Sequence, residues 1–133
     1  MRLTINTDGG ARGNPGPAAI GVIIKDEKQK IICGYGEYLG EQTNNYAEYA
    51  ALISGLKKAK EFNADEVECI LDSELVVKQM RQEYKVKEPT LQKLFIQAYN
   101  AATQFKKVTY RHTERANNTE ADKLVNETLD KQK

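Results

Sequence analysis

Residues 5–17 read Ile5-Asn6-Thr7-Asp8-Gly9-Gly10-Ala11-Arg12-Gly13-Asn14-Pro15-Gly16-Pro17, and the fold turns on this stretch. Leading into it, Leu3, Ile5 and Thr7 alternate with Arg2, Thr4 and Asn6. A period of two is the mark of a half-buried strand. Gly, Asn and Pro then follow at a density that signals a tight, shaped turn. Asp8 is therefore expected where an ordered strand ends and a backbone-rich loop begins. A carboxylate held there suits a metal ion, and the loop can bring its N–H groups close to a ligand. Asp-Gly also turns easily for purely local reasons, so the stretch needs support from the rest of the chain.

Working outward, residues 18–24 are apolar and β-branched, residues 25–30 are polar, and residues 31–40 return to a strand-like pattern. Two strands on a short charged link pair antiparallel, so residues 1–40 read as a three-strand meander. Thr43 or Asn44 then offers a helix cap. Tyr49, Leu52, Ile53, Leu56 and Ala59 follow at spacings of three and four, a helical core face. Glu48 lies one turn before Leu52 and borders that face; an edge glutamate of this kind is commonly a snorkelling residue. Residues 66–72 form a strand ending at Asp72, and a helix begins near Ser73. Helix followed by strand is the crossover that builds a parallel pair. If the first and fourth strands are parallel neighbours, Asp8 and Asp72 share one sheet edge, where open α/β sheets place ligands.

Residues 84–89 make a short polar connection, and residues 90–104 a helix with Leu91, Leu94, Phe95, Ala98 and Ala102 inward. Residues 108–112 form a last strand, residues 113–118 a polar loop, and the final helix starts near Thr119 with Ala121, Leu124, Val125 and Thr128 as its core stripe. Asp122 sits in its first turn, where the helix dipole alone favours an acid. The order β-β-β-α-β-α-α-β-α predicts an α/β fold. Its mixed five-stranded sheet has three antiparallel strands plus two parallel ones, with helices on both faces, in a single domain over residues 1–133.

Composition narrows the function. With 133 residues and a net charge of +1, the chain fits one domain with no global field drawing it to nucleic acid. Such binding must come from local placement of Lys and Arg. The first residues enter a strand pattern without a basic-then-apolar leader, so no signal peptide is expected. No apolar run approaches membrane-spanning length. Cys33 and Cys69 sit in apolar runs without metal-ligand spacing, which reads as reduced thiols in a cytoplasmic protein. A monomer is expected.

Four acids stand out by position: Asp8, Glu48, Asp72 and Asp122. On these residues the sequence resembles ribonuclease H of the type 1 class. The matching blocks are Asp8-Gly9-Gly10 with Gly13-Asn14-Pro15-Gly16, then Thr43-Asn44-Asn45-Tyr46-Ala47-Glu48, then Asp72-Ser73, then His112 with Ala121-Asp122-Lys123-Leu124-Val125-Asn126. They span nearly the whole chain in one order. The resemblance implies an endonuclease that hydrolyses the RNA strand of an RNA–DNA hybrid and leaves 5′-phosphate and 3′-hydroxyl ends. It implies two Mg²⁺ ions, with Mn²⁺ as a substitute, held by Asp8, Glu48, Asp72 and Asp122. Hard cations of this kind want carboxylate oxygens, and a pair can activate water and stabilise the leaving oxygen. His112 matches the family's mobile histidine, which assists proton transfer or product release; a lone strand-end histidine on the surface is the plainer reading.

The resemblance further assigns substrate contacts to Gly9, Gly10, Asn14, Thr43, Asn44 and Asn45. Amides suit a 2′-hydroxyl because they both donate and accept, although Asn44 and Asn45 also read as helix caps. Thr43 matches a position contacting a phosphate of the DNA strand. Two departures stand out. The segment 82–89 has no room for the long basic, Trp-containing insertion of many bacterial members, which likens the chain to compact archaeal-type and retroviral-type ones. Cations such as Lys85, Lys87, Lys106 or Arg115 must then serve hybrid binding. Glu74 and Leu75 also replace the amide and aromatic often found after Asp-Ser. Two competing readings are an aspartyl phosphatase, which needs a second Asp two residues from Asp8 where Asn6 and Gly10 stand, and a non-catalytic binding module, which four retained acids would hinder. A third widens the substrate to duplex RNA.

Overall fold

A computed structural model describes residues 1–132 of the chain. The elements are β1 (Arg2–Ala11), β2 (Gly16–Lys25), β3 (Ile31–Gln42), α1 (Asn44–Glu61), β4 (Glu66–Leu71), α2 (Glu74–Met80), α3 (Pro89–Ala102), β5 (Lys107–His112) and α4 (Thr119–Asp130), with a 3-10 turn at Arg115–Asn117. They build one five-stranded sheet in the order β3-β2-β1-β4-β5. The β1–β2 and β2–β3 pairs are antiparallel, and the β1–β4 and β4–β5 pairs are parallel. The mixed sheet expected from the sequence is therefore the one observed. Among the described residues no helix is long and apolar enough to cross a membrane.

Alternation along the strands sets the two layers. Leu3 and Ile5 of β1, Ile20, Val22 and Ile24 of β2, and Cys69 and Leu71 of β4 are buried against α1 and its neighbours α2 and α3. Ala19 on the opposite face of β2 packs with Val125 and Leu129 of α4. Helix α4 comes so close to the sheet that a Cβ on Gly21 would run into the Ala121 carbonyl. That slot, absent for any larger residue, fixes the depth at which Asp122, the next residue, is held.

One expectation is corrected. Asp8 does not end its strand: β1 continues through Ala11, and Asp8, Gly9, Gly10 and Ala11 pair with Gly21, Ile20, Ala19 and Ala18 of β2. What ends at that point is the pairing to β4, whose last partners are Thr7 and Leu71. Glycines need not leave a ladder when the partner strand holds them. The hairpin closes at residues 12–15, with Arg12 N donating to the Pro17 carbonyl at 2.8 Å. Asp8 is thus left one-sided, with β2 beside it and an open flank where β4 has stopped. Helix α3 also starts one residue early, because the Glu88 carboxylate accepts from Leu91 N at 2.9 Å with Pro89 in the first turn.

Candidate metal and nucleic-acid site

Three elements bring the first three acids together. Asp8 and Asp72 follow Thr7 and Leu71, the last registered pair of the parallel β1–β4 ladder. Glu48 comes from the first turns of α1, whose start is fixed by Thr43: its hydroxyl accepts from Tyr46 N at 3.1 Å. Of the two cap candidates, the structure uses Thr43. Asp8, Glu48 and Asp72 each offer a carboxylate oxygen within 4.8 Å of the others. Asp8 and Glu48 are both only 7% exposed. Glu48 is locked by Gly9 N, which donates to its Oε1 at 2.5 Å.

The electrostatics follow from crowding. Burial and then the charge of Asp72 push the Asp8 carboxyl up to about 7. Burial, then Asp8 and Asp72, raise Glu48 well above the usual carboxylate range. Such a set is short of positive charge. Its donors are all hard oxygens, which fits a divalent cation of the Mg²⁺ kind.

Asp122 lies outside that tight group but lines the same cavity of about 520 Å³, which also takes in Gly9, Gly10, Asn44, Asn45, Ser73 and Arg115. Its proximity adds to the upward push on Asp8. Asp122 is not bare: Arg115 Nη2 donates to Oδ1 at 3.1 Å, and Asn126 Nδ2 donates to Oδ2 at 3.3 Å. His112 is exposed and is not among the cavity's lining residues, although it is registered beside Leu71 at the end of β5.

The amide side of the cavity is tied together by backbone donors. Asn44 Oδ1 accepts from Ala11 N at 2.9 Å, and Asn14 Oδ1 accepts from Asn44 N at 3.0 Å. A backbone N–H can only donate, so both amide oxygens face inward and both NH₂ groups are left to donate outward. Asn14 itself is outside the cavity lining, and Asn45 is exposed within it.

Asn118 was not singled out from the sequence, where it is one polar residue in a loop. It is 2% exposed, its Nδ2 donates to the Thr7 carbonyl at 2.9 Å, and its Oδ1 accepts from Asn6 Nδ2 at 3.2 Å. Asp122 N donates to the Asn118 carbonyl at 3.1 Å. Asn118 therefore rivets the start of α4 to β1 immediately before Asp8. A buried amide spanning 111 residues of chain leaves no local pattern to read. Arg12 was likewise passed over; it pairs with Asp130 at 2.8 Å at the far end of α4.

A mixed sheet of this order with acids gathered beyond the β1–β4 ladder defines the class of ribonuclease H-like folds. The family model described as reverse transcriptase-like matches residues 6–128. The bifunctional protein Rv2228c of Mycobacterium tuberculosis is 43% identical over 131 residues, covering 98% of this chain and 36% of that protein. The chain thus spans about a third of the length of this curated relative. Among solved structures, RNase H1 from Halobacterium salinarum superimposes with a TM-score of 0.96 at 39% identity, covering 98% of this chain and 99% of that one. LC11-RNase H1 in complex with RNA/DNA hybrid gives 0.92 at 47% identity, with 98% of each chain covered. The chain belongs to the ribonuclease H family, type 1 class.

Proposed function

We propose that this domain is an endonuclease acting on the RNA strand of RNA–DNA hybrids with two divalent ions, Mg²⁺ or in its place Mn²⁺. The observation that carries the reading is the meeting of Asp8, Glu48 and Asp72 within 4.8 Å, with Asp122 on the same cavity wall. A divalent pair supplies an activated water and charge stabilisation at the phosphorus and leaving oxygen. Asp8, Glu48, Asp72 and Asp122 would hold it. The relative LC11-RNase H1 was solved with an RNA/DNA hybrid, and its likeness to this chain supports the same substrate class here.

The chain's own groups each have a task in this reading. Glu48, buried and fixed by Gly9 N, keeps its position whether or not substrate is present. The outward NH₂ groups of Asn14 and Asn44, with the exposed amide of Asn45, meet the 2′-hydroxyl as donors, which DNA cannot satisfy. Gly10 lets a backbone approach closely, and Thr43 serves the helix cap and a DNA-strand phosphate together. His112, exposed at the end of β5, enters from the solvent side for proton transfer or product release. The product carries a 5′-phosphate and a 3′-hydroxyl. The reading takes the domain as a cytoplasmic monomer, with Cys33 and Cys69 as reduced thiols.

The test is cleavage of end-labelled hybrid, duplex RNA and duplex DNA side by side, with Mg²⁺ against EDTA. Mg²⁺-dependent cutting of the RNA strand of the hybrid, with ligatable 5′-phosphate ends, is expected. Uncut hybrid in Mg²⁺ and in Mn²⁺ alike overturns the reading. Cutting of duplex RNA as well widens the substrate class.

A further inference from the structure

We propose that Arg115 masks Asp122 and weakens the second ion position until an anionic substrate draws the guanidinium away. The inference rests on the nuclease reading of this site. Asp8, Glu48 and Asp72 form the tight group of carboxylates, within 4.8 Å of one another. The fourth acid is different in kind. Both oxygens of Asp122 already have donors, Arg115 Nη2 at 3.1 Å and Asn126 Nδ2 at 3.3 Å. Each oxygen keeps a free lone pair, but a guanidinium at 3.1 Å sets a positive charge against any cation that approaches the same carboxylate. The folded site is therefore asymmetric: Glu48 accepts from the Gly9 backbone, but among the described residues only Asp122 of the four acids is paired with a cationic side chain.

The mask is built to lift. Arg115 comes from the 3-10 turn ahead of α4, and its side chain is 77% exposed. An ion pair that open contributes little and exchanges readily. A phosphodiester offers the guanidinium the same paired-oxygen geometry as a carboxylate, in a charge-assisted bond. Arg115 lines the cavity, so a phosphate entering there competes with Asp122 directly. Arg12, the other arginine on the lining, shows the contrast. It is pinned by Asp130 at 2.8 Å and by Asn126 at 3.5 Å. One arginine anchors the helix, and the other is left loose over the acid.

The experiment counts ions with Mn²⁺ as the probe, by EPR and calorimetry, on the folded wild type, Arg115→Ala and Asp122→Asn, singly and together, without substrate. Wild type is expected to bind one Mn²⁺ more tightly than a second. Arg115→Ala should tighten the second site roughly two- to five-fold, the worth of an exposed ion pair, with a smaller effect on the first. On the Asp122→Asn background that gain should vanish. A non-cleavable 2′-O-methyl RNA–DNA hybrid should erase the difference between wild type and Arg115→Ala. Equal tightening of both sites, no tightening, or a gain that survives Asp122→Asn overturns the mask. Cleavage of unmodified hybrid by wild type, scored in parallel, judges the nuclease reading separately, since the ion counts need no turnover.

Discussion

Glu48 Oε1 sits 2.5 Å from Gly9 N, and the contact exists only because position 9 has no side chain. A Cβ there would overlap the carbonyl of Ala47, one residue before Glu48. Strand β1 and the start of α1 are therefore pressed together at one point, and that point holds a ligand candidate. Gly9→Ala is expected to push α1 off the strand, costing about 2–4 kcal/mol by overpacking of backbone on backbone. Urea unfolding should show the loss, and cleavage of hybrid should fall with it. Gly10→Ala is the control for the unfolding measurement, because a Cβ there meets only Val125 Cγ1 at 3.8 Å, an ordinary contact. Equal stability of Gly9→Ala and wild type would show that the helix can yield.

The raised Asp8 carboxyl makes a statement about pH. Its value of about 7 in the fold stands above its ordinary 3.8. Between those two the unfolded chain has lost a proton that the folded protein keeps. The metal-free protein must then lose stability as pH rises from about 4 to about 7, and stay at the lower level above that. Glu48 is shifted in the same direction. Asp8→Asn keeps the shape and removes the charge, so in EDTA at pH 8 it should exceed wild type by about 1–3 kcal/mol, given roughly 1.4 kcal/mol per unit shared among coupled acids. At pH 4 the two should coincide. Melts of both proteins across this range decide it; a wild type as stable as Asp8→Asn at pH 8 contradicts the crowding argument. Asp8→Asn should lose hybrid cleavage throughout.

What was legible in the sequence was whatever depends on near neighbours. The period of two in β1, the stripe from Tyr49 to Ala59 and the helix–strand crossover before β4 each placed an acid correctly on its element. Asp8 was misjudged as a strand end because local turn chemistry favours Asp-Gly, while the pairing with Gly21 is a property of β2. His112 matched a motif in sequence yet is not among the lining residues of the cavity, since a spacing says nothing of where a side chain faces. Asn118 went unweighed, and Arg115 was read only as a cation for the hybrid and Asn126 only as part of a matching block, for a related reason. Their partners are fixed by how α4 docks, and one of those contacts crosses 112 residues of chain.

Asn118 turns that docking into a measurable quantity. Its amide donates to the Thr7 carbonyl and accepts from Asn6, in a nearly sealed setting. Asn118→Ala strands the Thr7 carbonyl and should cost about 1–3 kcal/mol. Asn118→Asp should be worse at neutral pH, because a carboxylate would face a carbonyl oxygen and stand close to an already acidic cluster. Acidification should narrow the gap between the two variants as the new carboxyl protonates. Denaturant melts at pH 5 and pH 8 test the ranking; Asn118→Asp matching wild type at pH 8 would mean the amide nitrogen bears no weight.

Added divalent cation should reverse the penalty of the acids. Binding to the folded chain alone stabilises it by mass action, about 2.7 kcal/mol when the free ion is at a hundred times its dissociation constant. For a chain of this size that is a rise of several degrees in melting temperature. Protons compete for Asp8 and Glu48, so the rise should grow between pH 5.5 and pH 8 as those carboxyls are freed. Asp72→Asn turns one of the three carboxylates gathered within 4.8 Å into a neutral amide and should flatten the response at every pH. EDTA added to protein already stripped of metal should leave its melting point unchanged. A Mg²⁺ or Mn²⁺ response that is the same in wild type and Asp72→Asn would place the ion elsewhere on the molecule.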